Sequence, residues 1–365
     1  MKRILIIFLS LILLTGCQKE DERVYDKFTY HFFGTFDTVV YTVMYAESEE
    51  KADEFNSYIE KRFNELHKEF NKYNSYDGLN NVKTINDNAG IEPVEVSDEL
   101  FNLIKDSIKY NEEFSNKTDI SFGSVLKIWS DYGDFNETRD HDEEYREDEL
   151  LPSIEELQEA DKYTGMENIE LDESKNTVYI NNPNTQIDVG ATAKGYAVEL
   201  ICEELREMGL DSLLVSAGGN VKSVGYPLDG IRGAWGVGIQ NPDILYASEN
   251  QSNLVETIFV KDQSVVTSGD YQRFFFVGDK AYHHLIDRDT LFPGDYFRAV
   301  TVVHENSAIA DFLSTSVFLT PYEEGLELIE SIDGAEALWI NKDGSIVVTD
   351  GMKEIMLSEG ASGAK

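Results

Sequence analysis

The 365-residue length, with 41% hydrophobic and 12% aromatic residues, suffices for one large domain or two ordinary domains with a buried core. The chain has 31 Lys and Arg against 69 Asp and Glu, and its formal net charge of −38 argues against nucleic acids and anionic lipid head groups as partners. An anionic small molecule would need local positive charge or a metal ion, and most of the acidic residues are expected to serve solubility.

The first residues carry the pattern of a secretion signal. After a basic start, the apolar run Ile4–Leu14 is too short to span a bilayer as a helix, which takes about 20 residues. It ends in Leu-Thr-Gly-Cys, which looks like a bacterial lipoprotein signal, in which cleavage before Cys17 is followed by diacylation of its thiol. We therefore expect a signal peptide over residues 1–17, a palmitate-type lipid anchor at Cys17 outside the cytoplasm, and a tether over residues 18–27. An ordinary secretory peptide with an incidental cysteine is the alternative.

Hydrophobic periodicity predicts the first elements of the folded part. Alternation predicts a strand over residues 33–45, and helical spacing predicts an amphipathic helix over residues 52–70. Ser97 is a good N-cap for a further helix. The Asn- and Gly-rich stretch 72–86 is predicted as a loop, and the acidic stretch at about 131–150 is predicted as a solvated, mobile surface insertion.

The stretch Gln186–Ala197, which reads QIDVGATAKGYA, has the pattern of a strand that ends at Gly190 and a helix that begins at Ala193. Small residues at such a junction let the backbone approach a ligand, and a helix N-terminus favours anions. Asp188 and Lys194 place opposite charges on either side of the junction. An ordinary strand-to-helix turn that binds nothing has the same pattern.

The second half of the chain is predicted as strands and one strong helix. These are strands at Leu213–Val215, Trp235–Ile239, Val265–Tyr271 and Val300–Val303, a helix at Ala308–Phe318 and a hairpin over Ala337–Thr349. No Pro-rich linker or solenoid repeat divides the mature chain. We expect one domain over residues 28–357 and a flexible tail over residues 358–365.

Two groups of side chains could carry chemistry. Asp311 and Thr315 are four apart on one helix and share a face, so together with a backbone carbonyl they could form an all-oxygen site for Mg²⁺. An ordinary helix N-terminal Asp near Ser and Thr is the alternative. His283 and His284 are adjacent, and either could take a hydroxyl proton or be a structural histidine.

Several motifs occur in the order of one known family. They are FNKYNSYDGLNNVKTIN (Phe70–Asn86), TDISF (Thr118–Phe122), IDVGATAKGYAVE, SAGGNV (Ser216–Val221), WGVGIQNP (Trp235–Pro242), TSGDYQR (Thr267–Arg273), HHLID and ADFLSTS (Ala310–Ser316). From about Gly34 to Leu319 the chain resembles the FAD:protein FMN transferases of the ApbE family.

The resemblance implies a fold class and a reaction. The fold would be α+β, with mixed and antiparallel sheets flanked by helices and an active-site cleft between two lobes. The reaction would be Mg²⁺-dependent transfer of FMN from FAD to a Ser or Thr hydroxyl of a target flavoprotein, through a phosphoester bond and with release of AMP. The acceptor would carry a motif close to Asp-x-x-Ser/Thr-Gly-Ala-Ser/Thr.

The resemblance also implies roles for individual residues. The metal would be held by the carbonyl of Ala191, the carboxylate of Asp311 and the hydroxyl of Thr315, with the Ser314 carbonyl nearby. His284 would be the base that activates the acceptor hydroxyl. The implied FAD contacts are Tyr73 on the isoalloxazine ring, Thr118, Ser121, Phe122 and Trp129 in the flavin pocket, and Asp188, Lys194, Ser268, Gly269 and Asp270 along the nucleotide and pyrophosphate.

The chain departs from the family pattern at three places. Gly123 stands where the family has an Asp, Arg288 and Leu291 stand where it has Pro and Gly, and Phe70–Tyr73 reads FNKY in place of Phe-Ser-Thr-Tyr. These changes concern flavin and acceptor contacts and leave the metal residues untouched. Two rival functions stay open: an FAD pyrophosphatase that uses water as acceptor, and a non-catalytic flavin-binding lipoprotein.

The end of the chain resembles the family's acceptor motif. Residues 359–365 read EGASGAK, a partial match that has Glu for Asp and Lys for the last hydroxyl residue. One hypothesis is that Ser362 is a weak self-acceptor. A flexible polar tail without such a role is the alternative.

Overall fold

A computed structural model describes residues 24–140, 143, 145–243 and 252–365. The expected signal peptide, Cys17 and most of the expected tether lie outside these residues. Within the described ranges, no helix combines the length and the apolar character that crossing a membrane requires.

The strands are β1 (Asp26–Thr35), β2 (Thr38–Ala46), β3 (Val94–Glu95), β4 (Ile169–Asp172), β5 (Thr177–Ile180), β6 (Leu213–Ala217), β7 (Asn220–Val224), β8 (Trp235–Gln240), β9 (Leu254–Val260), β10 (Ser264–Gly269), β11 (Phe274–Val277), β12 (Lys280–His283), β13 (Ala299–His304), β14 (Glu336–Ile340) and β15 (Ile346–Val348). The main sheet has the order β1-β2-β6-β7-β10-β13-β14-β15, and each neighbouring pair in it is antiparallel. Smaller antiparallel sheets are formed by β3-β5-β4, β8-β9 and β11-β12.

The helices are α1 (Glu49–Glu69), α2 (Val82–Asp87), α3 (Asp98–Glu113), α4 (Gly123–Thr138), α5 (Glu147–Leu150), α6 (Ile154–Asp161), α7 (Ala193–Glu207), α8 (Ser307–Phe318), α9 (Tyr322–Glu330) and α10 (Asp350–Ile355). Polar side chains fix several of their starts. Ser97 Oγ accepts the N–H of Leu100 at 3.2 Å, and Asn306 Oδ1 accepts the N–H groups of Ala308 and Ile309. Each cap satisfies an N–H that the helix itself leaves without a partner.

Alternation along β2 shows how the main sheet separates two layers. Val40 and Met44 face the core formed with α1 and α7, whereas Tyr45 faces the opposite side and packs against Trp235 of β8. Successive side chains of a strand point to opposite faces of the sheet, so the neighbours Met44 and Tyr45 pack in different layers. Helices therefore cover one side of the sheet, and β8, β9 and α10 cover much of the other, which gives an α+β architecture.

α7 and α8 cross in close contact at Gly195. A Cβ atom at position 195 would lie 2.4 Å from the carbonyl oxygen of Ser307 and 2.5 Å from the Cβ of Asp311. The Gly195 N–H donates to Asp311 Oδ2 at 2.8 Å. Only glycine leaves room for this contact, and the contact sets the position of Asp311.

The predicted strand over residues 33–45 is in fact a hairpin. β1 and β2 pair antiparallel, and Phe36 and Asp37 form the turn, each with φ of 51°. Positive φ at both positions is what a tight two-residue hairpin turn requires. β1 also takes up Asp26 and Lys27, which the sequence analysis assigned to the tether.

Three other stretches differ from their predictions. Residues 72–86, predicted as a loop, include most of α2, and the stretch at about 131–150, predicted as poorly structured, contains the end of α4 and the whole of α5. Residues 187–189 form no strand, because their backbone groups bond elsewhere. The Ile187 N–H donates to Asn86 Oδ1 at 2.8 Å, and the Asp188 N–H donates to the Ile120 carbonyl at 2.8 Å.

The C-terminal residues, expected as a flexible tail, bond to the segment before β8. The Gly233 N–H donates to the Gly363 carbonyl at 2.7 Å, and the Lys365 N–H donates to the Ile231 carbonyl at 3.0 Å. Gly363 is buried, whereas the neighbouring Ser362 is exposed. These bonds would have to break before Ser362 could leave this position, which weighs against the self-acceptor hypothesis.

The crossing at Gly195 gives a stability prediction. Gly195→Ala should lower the free energy of unfolding by about 2 kcal/mol, because the methyl group would force α7 and α8 apart. Gly133→Ala in α4 is the matched control, since its Cβ would meet only the Phe275 ring at 3.5 Å and should be neutral or stabilising. Urea unfolding measures both. Equal midpoints for Gly195→Ala and the wild type would contradict the prediction.

Candidate active site

A cleft of about 1170 Å³ contains most of the residues that the sequence analysis singled out. Its size suits a drug-sized or larger ligand. The expected site residues that line it are Tyr73, Thr118, Phe122, Trp129, Asp188, Ala191, Lys194, Ser268, His284, Asp311 and Thr315. They come from loops after α1 and α3, from the start of α4, from the junction before α7, from β10, from the loop after β12 and from α8. The fold thus gathers distant parts of the chain at one place.

Asp311 is a buried carboxylate that faces the cleft. Burial raises the pKa of its carboxyl group, while Lys194, the N–H of Gly195 and Asn220 act in the opposite direction. No cation of the described residues forms an ion pair with it, and its Oδ2 accepts a hydrogen bond from the Gly195 N–H of α7. A buried carboxylate with this little compensation is suited to hold a cation.

Three hydroxyl groups join α8 to β10 beside Asp311. Ser268 Oγ lies 2.9 Å from Ser314 Oγ and 3.2 Å from Thr315 Oγ1. Ser314 Oγ also donates to the Asp311 carbonyl at 3.0 Å. The hydroxyl of Thr315 is therefore held near the carboxylate one turn earlier on the same helix.

The donor set fits a hard cation better than a soft one. Among the described residues, no cluster of three or more His, Cys, Asp or Glu side chains could hold a metal. The cleft instead offers one carboxylate from Asp311, one hydroxyl from Thr315 and the backbone at Ala191. Oxygen donors with few carboxylates suit Mg²⁺, which keeps other positions for water or phosphate oxygens.

Lys194 is the cation that faces this donor set. It is the second residue of α7, at the N-terminus where the helix dipole adds positive potential. In the part of the chain that the structure describes, Lys194 makes no ion pair or side-chain hydrogen bond. Since the rest of the molecule is strongly acidic, an unpaired lysine in the cleft is suited to an anionic ligand.

Asp188 has a partner that the sequence analysis did not identify. Lys72 forms an ion pair with Asp188, and the Lys72 ammonium also lies 4.9 Å from the centre of the Tyr73 ring. Burial opposes ionisation of Asp188, but Lys72 and the Gly190 N–H outweigh it, so the pKa of Asp188 lies below its usual value. Lys72 thus links Asp188 to Tyr73, whose side chain is 60% exposed at the edge of the cleft.

The structure distinguishes the two adjacent histidines. His283 is buried, with Nε2 2.8 Å from the Gly294 carbonyl. His284 is exposed to the cleft, and its Nδ1 lies 3.2 Å from the Arg273 carbonyl. Because a carbonyl only accepts, Nδ1 carries the proton in this contact and Nε2 is left as an acceptor. The pKa of His284 is lowered by desolvation from the cleft walls and by Lys194 and Arg273, which favours the neutral ring.

Aromatic side chains form one wall of the cleft. Trp129 lies 6.1 Å from Tyr282 in a stacked arrangement and 5.4 Å from Phe292 edge-on. Its Nε1–H donates to the Leu291 carbonyl at 2.9 Å. Leu291 has φ of 61°, at the position where the resembling family has Gly. Its buried side chain in this aromatic cluster holds the strained backbone in place.

Four expected site residues do not line the cleft. Ser121 Oγ donates to Asp119 Oδ1 at 2.6 Å and accepts the Gly165 N–H at 2.9 Å, so its hydroxyl serves the structure behind the wall. Asp270 pairs with Arg298 at 2.7 Å. The other two are Gly269, where a Cβ would lie 2.5 Å from the Tyr271 ring, and Ser314, whose hydroxyl lies beside that of Ser268.

Ion pairs connect two loops of the cleft wall, and the sequence analysis missed them. Arg288 pairs with the buried Asp119, and Lys117 bridges Asp287 at 2.9 Å and Asp289 at 2.7 Å. The departure from the family pattern singled out Arg288 in the sequence, but it did not indicate that Asp119 is its partner. The loop after β12 is therefore held against the loop before α4 mainly by charge.

The Lys72–Asp188 pair yields a prediction with a sign in pH. Lys72→Met should cost about 2 kcal/mol at pH 7, because it leaves a buried carboxylate without its cation. Because the pKa of Asp188 is lower in the folded than in the unfolded chain, its ionised form stabilises the fold at pH values above the unfolded-state pKa of about 3.9. That contribution disappears as the pH falls.

Urea unfolding at pH 7 and pH 4 tests this difference. The cost of Lys72→Met should be smaller at pH 4, where the variant's Asp188 takes up a proton. Lys353→Met removes an exposed pair with Asp350 and should change stability by less than about 0.5 kcal/mol at either pH. A cost for Lys72→Met that does not vary with pH would contradict the assignment.

Comparison with known proteins places this geometry in a family. The profile of the ApbE family matches residues 33–339, and that of the prokaryotic membrane lipoprotein lipid attachment site matches residues 1–18. The chain is 26% identical over 333 residues to the FAD:protein FMN transferase of Vibrio cholerae serotype O1, with 91% of each chain covered. It is 29% identical over 283 residues to that of Treponema pallidum, with 74% of this chain and 73% of the relative covered.

Solved structures agree with these matches. The ApbE protein of Thermotoga maritima has a TM-score of 0.75 at 26% identity, with 90% of this chain and 99% of that chain covered. The flavin transferase ApbE from Vibrio cholerae has a TM-score of 0.71 at 21% identity, with 90% and 100% covered, which bears on the fold alone. The α+β fold and the family resemblance expected from the sequence are thereby confirmed: the chain belongs to the ApbE family.

Proposed function

We propose that this protein transfers FMN from FAD to a Ser or Thr hydroxyl of a target flavoprotein, with formation of a phosphoester bond and release of AMP. The curated relatives carry the name FAD:protein FMN transferase, which supports the reaction class. The observation that carries the proposal is the meeting of three groups in one cleft: the buried carboxylate of Asp311, the unpaired Lys194 and His284 with Nε2 free to accept.

Different residues of the cleft are proposed to serve different steps of the phosphoryl transfer. The acceptor oxygen attacks the FMN phosphorus, the bond from that phosphorus to the AMP moiety breaks, and the hydroxyl proton passes to His284 Nε2. Lys194 and the N-terminus of α7 neutralise charge on the pyrophosphate. Asp311, Thr315 and the Ala191 carbonyl would hold Mg²⁺, which supplies further charge neutralisation when it is bound.

The aromatic wall is suited to the flavin. Trp129, Phe122 and Thr118 line one part of the cleft, and Tyr73 stands at its edge with an exposed ring face. Flat aromatic surfaces favour stacking of a planar ring system. Asp188, with Lys72 beside it, is proposed to contact the nucleotide.

A lipid anchor is proposed for the N-terminus. The lipid attachment profile over residues 1–18 supports acylation at Cys17. The enzyme would then work at the membrane outside the cytoplasm, where its acceptor would be a flavoprotein at the same surface. Radiolabelled palmitate that enters the wild type but not a Cys17→Ala variant is the expected result.

One experiment separates the proposed reaction from its rivals. The protein from residue 18 onward is mixed with FAD, Mg²⁺ and a small domain bearing Asp-x-x-Thr-Gly-Ala-Thr, and AMP release and acceptor mass are followed together. AMP with an FMN adduct on the acceptor supports the transferase. AMP with free FMN identifies a pyrophosphatase, which the exposure of His284 to water would permit. Intact bound FAD identifies a flavin-binding protein.

The metal assignment predicts a specific loss. Asp311→Asn should lower FMN transfer at least about 10³-fold, because it removes the only carboxylate of the proposed donor set. Calorimetric titration with Mn²⁺ in the presence of FAD should show the corresponding loss of metal affinity. The control is Asp270→Asn, whose carboxylate pairs with Arg298 outside the cleft lining. FMN transfer by Asp311→Asn near the wild-type rate would contradict the assignment of Asp311 as a metal ligand.

The neutral His284 predicts the pH profile. Because its pKa is lowered, kcat/KM should stay level from pH 8 to pH 6.5 and fall only below that range, as the ring takes up a proton. His284→Gln should lower kcat about 10²–10⁴-fold and abolish this acid limb, while FAD affinity persists. An acid limb centred at pH 6.5 or above, or loss of FAD binding in His284→Gln, would show that the residue has another role.

A further inference from the structure

The outward face of the β1–β2 hairpin is a surface, exposed except at the half-buried Val39 and Val43, that the proposed chemistry does not use. It consists of Lys27, Thr29, His31 and Phe33 of β1 and Val39, Tyr41 and Val43 of β2, and we call it the hairpin face. The register sets His31 opposite Tyr41 and Phe33 opposite Val39. Alternation puts Phe28, Tyr30 and Phe32 of β1 and Val40 and Met44 of β2 on the other side, in the core formed with α1.

The hairpin face is apolar and aromatic in a strongly acidic protein. Phe33 is 69% exposed and Tyr41 is 50% exposed, and the His31 ring lies 5.8 Å from Phe33 and 5.9 Å from Tyr41. None of its seven residues is acidic, although the chain carries 69 Asp and Glu. Protein interfaces are enriched in aromatic side chains and depleted in carboxylates, because buried carboxylates without partners are costly.

The hairpin face begins at the mouth of the cleft. The turn that joins its two strands, Phe36 and Asp37, lines the cleft, and Asp37 pairs with Arg273 at 3.5 Å. The Arg273 carbonyl in turn accepts from the backbone N–H of His284 at 3.2 Å. One ion pair and one hydrogen bond therefore connect the hairpin to the proposed base.

We propose that the hairpin face is the docking surface for the folded acceptor domain, which would present an apolar patch beside its Ser or Thr. The inference rests on the proposed function. The acceptor hydroxyl must reach His284, so the domain that carries it must cover the rim of the cleft. The hairpin face adjoins this rim at the β1–β2 turn.

Two other occupants are less compatible with this position. A lipid surface against the hairpin face would close the approach to the cleft from this side, and the charge of −38 opposes contact with an anionic bilayer. A second copy on the same face would likewise block the acceptor. We therefore commit to the acceptor domain, and the experiment includes the other two as outcomes.

The test measures transfer kinetics against a folded domain that carries Asp-x-x-Thr-Gly-Ala-Thr. Phe33→Asp and Tyr41→Asp should each raise KM for this domain at least about tenfold, because each buries a charge at the contact. The kcat at saturating acceptor and the Kd for FAD should stay within about twofold of the wild type. Phe33→Thr, which replaces the ring by a β-branched side chain that favours strands, should raise KM less and guards against misfolding.

The matched control is Ile346→Asp. Ile346 is an exposed apolar residue of β15, the strand at the opposite edge of the same sheet. The KM of the Ile346→Asp variant for the acceptor domain should equal that of the wild type. Wild-type KM in the hairpin-face variants would overturn the docking surface alone, whereas a wild type that transfers no FMN would overturn the proposed function and this inference with it.

Two further measurements decide between occupants. Binding to phosphatidylcholine vesicles by unlipidated protein, lost in Phe33→Asp, would overturn the proposal in favour of a lipid contact. Dimers in light scattering that become monomers in Phe33→Asp would overturn it in favour of self-association. If the wild type and the variants are all monomers that do not bind vesicles, and KM is raised in the variants, the results support the acceptor domain as the occupant.

Discussion

The contact between the Gly195 N–H and the Asp311 carboxylate is the constraint on which the rest of the site depends. It requires α7 and α8 to touch without a side chain between them, and it gives a hydrogen-bond donor to a carboxylate whose pKa burial raises. α7 also brings Lys194, and α8 also brings Thr315. One glycine therefore sets the distance between the cation and the oxygen donors of the cleft.

The cleft brings several cations together in a molecule whose net charge is strongly negative. Lys72, Lys117, Lys194 and Arg273 all line it, but their partners differ. Lys72 is matched by the buried Asp188, Lys117 by Asp287 and Asp289, and Arg273 weakly by the exposed Asp37, so among the described residues Lys194 is the lining cation left for a ligand. The three paired cations shape the walls, which lets a single lysine act on the anion without attracting polyanions to the rest of the surface.

Residues with a clear period could be predicted, and residues whose partners are distant in sequence could not. Helical spacing predicted that Asp311 and Thr315 share one face of a helix, and both lie on α8 and line the cleft. The turn at Phe36–Asp37 was missed because no glycine marks its positive φ. The supposed strand at residues 187–189 was wrong because the Asn86 side chain, about a hundred residues away, takes its backbone bonds. Lys72 was named only as a departure, since its pairing with Asp188 exists only in the folded chain.

The length of the hairpin bears on the reach that the proposed lipid anchor would give the cleft. Its strand β1 runs from Asp26 to Thr35, ten residues or about 30 Å, and the turn at the cleft mouth lies at the far end. The segment between Cys17 and β1 can add at most about 30 Å when fully extended. If Cys17 carries the proposed lipid, the cleft can sweep a zone up to about 60 Å from the membrane, wide enough to serve membrane-bound acceptors whose target residues stand at different heights.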